Sequence, residues 1–142
     1  MNKIETITTL IQVQGKIRHK MISEMKEFCL DDESITPLQI EAMLLILEHK
    51  YIKMSDLAKI LNLKTSGATQ LINSLVSQNK VERFSSDNDK RITLISLTPN
   101  YLIIMKKMKD HHNKTLVSIF DKLDEKDLQT LLQITNKLSL AL

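Results

Sequence analysis

The sequence predicts a mainly α-helical protein with one small β-hairpin. Apolar residues recur at helical spacing along most of the 142 residues, and the spacing changes to β-type alternation in one short region. The chain has two glycines and two prolines, which leaves few points where helices must break. With 42% hydrophobic residues, a chain of this length is expected to form one domain and to bury roughly two-thirds of its unfolded surface.

The first predicted helix covers residues 3–30 and has a wide apolar side. Ile4, Ile7 and Ile11 begin a stripe with alternating steps of three and four residues, which is the spacing of one helix face. Further apolar residues flank this stripe, so the apolar side is wider than one neighbouring helix can cover. The acidic stretch 31–34 ends the helix.

A capping box begins the second predicted helix. Thr36 is its N-cap, Pro37 takes the first helical position, and Gln39 lies where its side chain can bond back to the cap. We expect this helix to end near residue 48. The next two predicted helices are 54–61 and 65–78.

A hairpin is predicted after these helices. Two β-branched, alternating segments, 81–84 and 92–97, flank a polar loop of turn-forming residues. Because two strands are too few to fold alone, the hairpin must be an appendage to the helices. Two helices complete the prediction, one over about 99–121 and one capped by Asp124.

The two short central helices fit a helix-turn-helix. Such a pair needs a small residue where the backbones approach, which is Ala58, and a turn residue that tolerates positive φ, which is Asn62. Apolar residues must also face each other across the angle between the helices. Those residues are Leu57, Leu61, Leu63, Ala68 and Leu71.

The second helix of this pair has an unusual polar side. Its predicted buried stripe is Ala68, Leu71, Ile72, Leu75 and Val76. Its predicted outward side is Thr65, Ser66, Thr69, Gln70, Asn73, Ser74 and Ser77. A solvated helix side usually carries pairs of Lys and Glu, whereas no charged residue occurs from 65 to 79. Short hydroxyl and amide side chains suit the base edges and phosphates of DNA, which favours a recognition helix.

Positive charge is concentrated around this helix. Residues 53–91 contain seven basic and four acidic residues, while residues 1–52 contain six and eight. In the hairpin loop, Arg91 is placed to enter a narrow minor groove, where the negative potential is enhanced. The alternative is that Arg91 is a solvated loop residue paired with Asp87 or Asp89. The two interpretations are compatible, because Asp89 can orient Arg91 toward a groove.

Several of these segments resemble the MarR family of bacterial winged helix-turn-helix regulators. They are S-D-L-A-K-I-L at 55–61, S-G-A-T-Q-L-I-N-S-L at 66–75, V-E-R at 81–83, D-K-R at 89–91 and L-T at 97–98. The resemblance covers essentially the whole chain. Two residues depart from the family pattern. Asn79 stands where the family mostly has Gly, and Tyr101 stands where Gly often follows the L-T pair.

The resemblance implies a homodimer formed through the first helix and the last two. The wide apolar sides of those helices support the same expectation. The predicted interface residues are Ile4, Ile7, Ile11, Leu131, Leu132 and Leu138. Within one domain, 1–142, we expect a DNA-binding lobe at 35–98 and a helical dimerisation region at 1–34 and 99–142. Because a lobe of this size reaches only one groove, two copies would read a palindromic operator.

The regulating signal is less constrained by the sequence. A small aromatic effector is the family default, and no cofactor is expected. The alternative is a metal- or redox-sensing variant, because Glu24, Cys29, Glu41 and His112 could stand where zinc-responsive members have ligands. Met108 occupies the position of a second histidine, and a buried apolar role fits Cys29 better than a redox role.

The favoured hypothesis is a dimeric, sequence-specific repressor that binds double-stranded DNA. The predicted DNA-binding residues are Lys64, Thr65, Ser66, Thr69, Gln70, Asn73, Lys90 and Arg91. The alternative is a winged-helix module that binds a protein and acts as an antirepressor. An enzyme is disfavoured, because two glycines cannot build phosphate loops and no catalytic motif occurs. With no signal peptide or membrane segment recognised, a cytoplasmic location is expected.

Overall fold

A computed structural model gives the fold and describes residues 2–28 and 35–141. Its elements are α1 (Lys3–Phe28), α2 (Pro37–His49), β1 (Ile52–Lys53), α3 (Met54–Ile60), α4 (Thr65–Ser77), β2 (Val81–Ser85), β3 (Thr93–Leu97), α5 (Pro99–Phe120) and α6 (Glu125–Ser139). The predicted mainly helical class with a hairpin is confirmed. Predicted and observed ends agree within one residue, except that residues 29 and 30, the last two predicted for α1, lie outside the described residues.

The chain divides into two compact units. The first is Met1–Lys109 and contains α1 to α4, the sheet and the first half of α5. The second is Asp110–Leu142 and contains the rest of α5 and α6. The functional division expected from the sequence, with a DNA-binding lobe at 35–98, stays a prediction. No helix among the described residues is long and apolar enough to cross a membrane.

The predicted hairpin belongs to a three-stranded antiparallel sheet in the order β1-β3-β2. In the hairpin, Val81 pairs with Leu97 and Ser85 pairs with Thr93. On the other edge of β3, Ile52 pairs with Ile95. The sequence interpretation missed β1, because two residues are too few to show an alternating pattern.

The core of the first unit lies between α2, α4 and the sheet. The largest fully buried side chains are Met43, Ile46, Leu57, Ile72, Leu75, Val81, Ile95, Met105 and Met108. Val76 was expected in the buried stripe of α4, and that expectation is wrong, because 38% of Val76 is exposed. Val76 lies in the last turn of α4, at the edge of the packed stripe.

Local backbone chemistry explains where the elements begin and turn. The predicted capping box is present, since Gln39 donates its backbone N–H to Thr36 Oγ1 at 3.2 Å and Thr36 donates its backbone N–H to Gln39 Oε1 at 2.9 Å. Asn62 has a φ of 53°, which confirms the turn role assigned to it. Asn79 has a φ of 56°, a left-handed conformation that Asn tolerates where the family mostly has Gly. Asp124 caps α6 as expected, accepting from the Asp127 N–H at 2.8 Å.

Candidate nucleic-acid interface

The helix-turn-helix is formed by α3 and α4. Leu57 and Ala68 are fully buried between these helices, and Ala58 is almost fully buried. After Asn62 reverses the chain, the backbone N–H of Leu63 donates to the Ala58 carbonyl at 2.8 Å. The turn is therefore closed by backbone bonding and apolar packing, and it holds α4 in one orientation against α3.

The outward side of α4 is polar and uncharged, as the sequence predicts. Thr65, Ser66, Gln70 and Asn73 are exposed. Thr69 is half-buried, and its hydroxyl donates to the Thr65 carbonyl at 2.9 Å. These side chains carry donors and acceptors of short reach, which is the chemistry needed to read base edges.

Ser74 does not belong to this outward side, so that part of the sequence interpretation is wrong. Its side chain is half-buried, and its Oγ accepts from Gln39 Nε2 at 3.1 Å and from Gln78 Nε2 at 3.3 Å. Ser74 is thus an interior contact between α4 and α2. Its position three residues after the buried Leu71 is the signal that could have indicated this role.

A buried lysine follows α4 and was missed by the sequence interpretation. Lys80 is 3% exposed, and its Nζ donates to Gln78 Oε1 and lies 5.5 Å from the centroid of the Tyr101 ring. Thr98 donates its hydroxyl to the Asn79 carbonyl at 2.9 Å. The connection from α4 to β2 is therefore tied to the beginning of α5, which limits how far α4 can rotate.

The wing, defined as β2, β3 and their loop, presents Lys90 and Arg91. Lys90 and Arg91 are both exposed, and 93% of the Arg91 side chain is accessible. Asp89 Oδ1 accepts from the Arg91 backbone N–H at 3.0 Å and from its Nε at 3.3 Å. The structure therefore confirms the expected pairing with Asp89, which orients the guanidinium without burying it.

Arg91 and the first turn of α4 lie on the same side of the first unit. Both Thr65 and Arg91 line a cavity of about 380 Å³ between α3, α4 and the loop end of the wing. The other lining residues are Lys53, Met54, Ser55, Ala58, Ala68, Ile92 and Thr93. The two predicted DNA-binding segments can therefore face one ligand together.

A side-chain hydrogen bond also joins the wing to α4. Arg83, on β2, donates from a terminal guanidinium nitrogen to Asn73 Oδ1. Both residues are exposed, so this bond lies on the surface that carries Gln70 and Ser66. The sequence interpretation gave Arg83 no role, because the contact depends on how the wing packs against α4.

The metal candidates do not form a site in the described part of the chain. Residues 2–28 and 35–141 contain no group of three or more His, Cys, Asp or Glu side chains that could hold a metal ion. Glu24 pairs with Lys20 at 3.0 Å, and its hydrogen bond raises the pKa of that lysine. Glu41 is exposed, His112 belongs to the second unit, and Cys29 lies outside the described residues.

Comparison with known proteins relates this arrangement to one family. Residues 35–93, which contain the helix-turn-helix and most of the wing, match the family model described as MarR family. The transcriptional regulator AdcR of Streptococcus pyogenes is 27% identical over 135 residues, covering 95% of this chain and 88% of AdcR.

Two solved structures show the same fold. FabT of Streptococcus pneumoniae in complex with DNA has a TM-score of 0.86 at 18% identity, over 97% of this chain and 95% of the FabT chain. A mutant of MarR from E. coli, complexed with operator DNA, has a TM-score of 0.68 at 24% identity, over 97% and 99% of the two chains. The fold, the matched segment and the curated relative agree with the resemblance found in the sequence. Residues 35–93 of the chain thus match the MarR family, and 95% of the chain is similar to a transcriptional regulator.

Proposed function

We propose that the protein is a homodimeric repressor that binds a palindromic operator in double-stranded DNA. The observation that carries the proposal is the outward side of α4, which is polar, uncharged and flanked by cations. In this proposal Ser66, Thr69, Gln70 and Asn73 read base edges in the major groove. Likenesses to FabT and MarR structures that contain DNA support this placement.

The beginning of α4 is suited to a phosphate. The N-cap residue, Lys64, makes no side-chain cap hydrogen bond, and the first turn of α4 contains no acidic residue. Backbone N–H groups of that turn and the positive end of the helix dipole therefore favour an anion. In the proposal, Lys64 and Thr65 hold the DNA backbone and so fix the register of the base-reading side chains.

The wing supplies the second contact. Asp89 holds Arg91 through its backbone N–H and Nε, so the terminal nitrogens are not used in this pairing. Arg91 and Thr65 line one cavity, so the wing tip lies on the side of the first unit that is proposed to face DNA. We assign Arg91 to a minor groove beside the major groove that α4 occupies, with Lys90 on the adjoining phosphates.

Dimerisation is proposed from apolar surfaces in each unit. In the first unit, Ile4 and Ile11 of α1 are 75% and 62% exposed. In the second unit, α6 buries no residue, and Leu132 and Leu138 are 55% and 61% exposed. Exposed apolar groups that recur at helical spacing indicate an interface, and a second copy of the chain is the proposed partner. The proposed contacts are Ile4, Ile7, Ile11, Leu131, Leu132 and Leu138.

Repression and relief by an effector complete the proposal. A dimer that occupies an operator blocks transcription by excluding polymerase, without needing a further surface. A small aromatic effector that entered the cavity beside Thr65 and Arg91 would compete with DNA for two proposed contacts. The expected result is release of operator duplex when such a ligand binds.

Titration with a random-sequence duplex at low salt tests the DNA-binding claim. We expect binding at micromolar protein, with affinity falling as salt rises because counterions are released from phosphate contacts. No binding by the folded protein at micromolar concentration would contradict the proposal. It would favour the alternative, a winged-helix module that binds a protein.

A further inference from the structure

The hydrogen bond between Arg83 and Asn73 has a defined chemical polarity. Arg83 projects from β2, where its register partner is Ile95, and its side chain reaches Asn73 on α4. A guanidinium has five N–H donors and no acceptor. The Asn73 atom that faces it must therefore be Oδ1, which fixes the orientation of the amide.

This orientation decides what Asn73 can offer to a ligand. With Oδ1 turned toward Arg83, Nδ2 is the amide atom on the side away from the wing. Both side chains are exposed, so the pair presents N–H donors from Asn73 and from the guanidinium on the same surface. An asparagine without such a partner presents one donor group and one acceptor.

The difference matters for base recognition. Asparagine reads adenine by donating to N7 and accepting from N6, which requires both amide atoms. Guanine has two adjacent acceptors in the major groove, N7 and O6, and its major-groove edge has no donor. Because Oδ1 has two lone pairs, Arg83 occupies one of them and places its guanidinium N–H groups beside the other. The pair therefore presents mainly donors, which fit guanine and meet the N6 amino group of adenine unfavourably.

We propose that Arg83 is a specificity-determining residue, which occupies the Asn73 acceptor with a cationic donor and so sets a preference for guanine over adenine. This inference rests on the proposed function, because it assumes that α4 lies in a major groove. A role in folding stability does not explain the pair, since an exposed hydrogen bond that competes with water contributes little.

Selection of bound duplexes from a random pool tests the inference. Wild type and Asn73→Ala are compared first, and the operator position whose preference disappears in Asn73→Ala is the base that Asn73 reads. We expect guanine at that position in wild type. Arg83→Met keeps most of the side-chain length but frees Asn73 Oδ1, so the guanine-to-adenine ratio there should fall about fivefold or more.

Two further variants separate specificity from charge. Lys64→Met removes one positive charge from the same surface without touching Asn73, and it should weaken binding while leaving the ratio unchanged. Arg83→Lys keeps a partner that only donates, and it should retain the guanine preference. The melting temperature of each variant is measured to confirm that it is folded.

The outcomes are distinct. A wild-type preference for another base at that position, no position affected by Asn73→Ala, or an unchanged ratio in Arg83→Met overturns the inference while the proposed function stands. If wild type enriches no sequence and binds no duplex, the proposed function fails together with the inference.

Discussion

At the scale of single residues, the proposed interface combines short uncharged side chains on α4 with the long cationic side chains of Lys and Arg. Gln70 and Asn73 are exposed and uncharged, while Lys64 and Arg91 supply positive charge at two edges of the same surface. In nucleic-acid recognition, phosphate contacts fix position and base contacts give specificity. Substituting a phosphate contact should therefore weaken binding to every duplex, whereas substituting a base contact should reduce the preference for the operator.

The first prediction concerns Arg91. Arg91→Ala removes a proposed groove contact, so affinity for duplex should fall and the slope of log K against log salt should decrease in magnitude by about one. Fluorescence anisotropy titrations at several salt concentrations measure this slope. The matched control is Lys16→Ala, an exposed cation of α1 that lies away from the stripe of Ile4 and Ile11, and it should leave the slope unchanged. An unchanged slope in Arg91→Ala would remove Arg91 from the mechanism.

At the scale of elements, α4 is held by partners from several other segments. Ser74 joins it to Gln39 at the beginning of α2, and Lys80 joins its end to Tyr101 at the beginning of α5. These contacts fix the orientation of α4 before any ligand binds. The loss of conformational entropy in α4 on binding is therefore small.

The second prediction tests the anchor at Ser74. Ser74→Ala removes the hydroxyl that accepts from the buried Gln39 amide, which should lower the free energy of unfolding by about 1–2 kcal/mol. Ser77→Ala is the matched control, because the Ser77 hydroxyl donates to the Ser74 carbonyl within the same helix. It should change stability by less than about 0.5 kcal/mol. Urea unfolding followed by circular dichroism measures both, and equal effects would contradict the anchoring role.

The sequence predicts elements better than it predicts contacts between them. Thr36 and Asn62 act within a few residues, so their roles as cap and turn follow from local chemistry. Ser74 lies at the boundary of a helical stripe, and whether it faces water or α2 depends on where Gln39 is placed. The bond from Arg83 to Asn73 likewise requires the packed position of the wing, which no local pattern specifies.

At the scale of the whole molecule, the proposal requires two copies. One lobe reads one major groove, and adjacent major grooves on one face of a duplex lie about 34 Å apart. Two lobes related by a dyad can contact both half-sites of a palindrome at once, which raises affinity through effective concentration. The exposed apolar residues of α1 and α6 are the surfaces proposed to hold the copies together.

The third prediction tests this assembly. Leu132→Glu places a charge in the proposed apolar interface, so the protein should shift from dimer to monomer and lose operator affinity. Gln133→Glu adds the same charge at the next position, where helical spacing points the side chain away from the apolar stripe. Light scattering coupled to size-exclusion chromatography gives the mass of each. A monomeric wild type, or a dimeric Leu132→Glu, would be inconsistent with the proposed interface.

The claim that α4 reads bases is tested most directly by the ratio of specific to non-specific affinity. Wild type and Gln70→Ala are titrated with a selected operator and with a random duplex at one salt concentration. We predict a wild-type ratio of about 10³ or more, and a loss of about fivefold or more in Gln70→Ala, with non-specific affinity unchanged. A Gln70→Ala protein that keeps the full ratio would contradict the account.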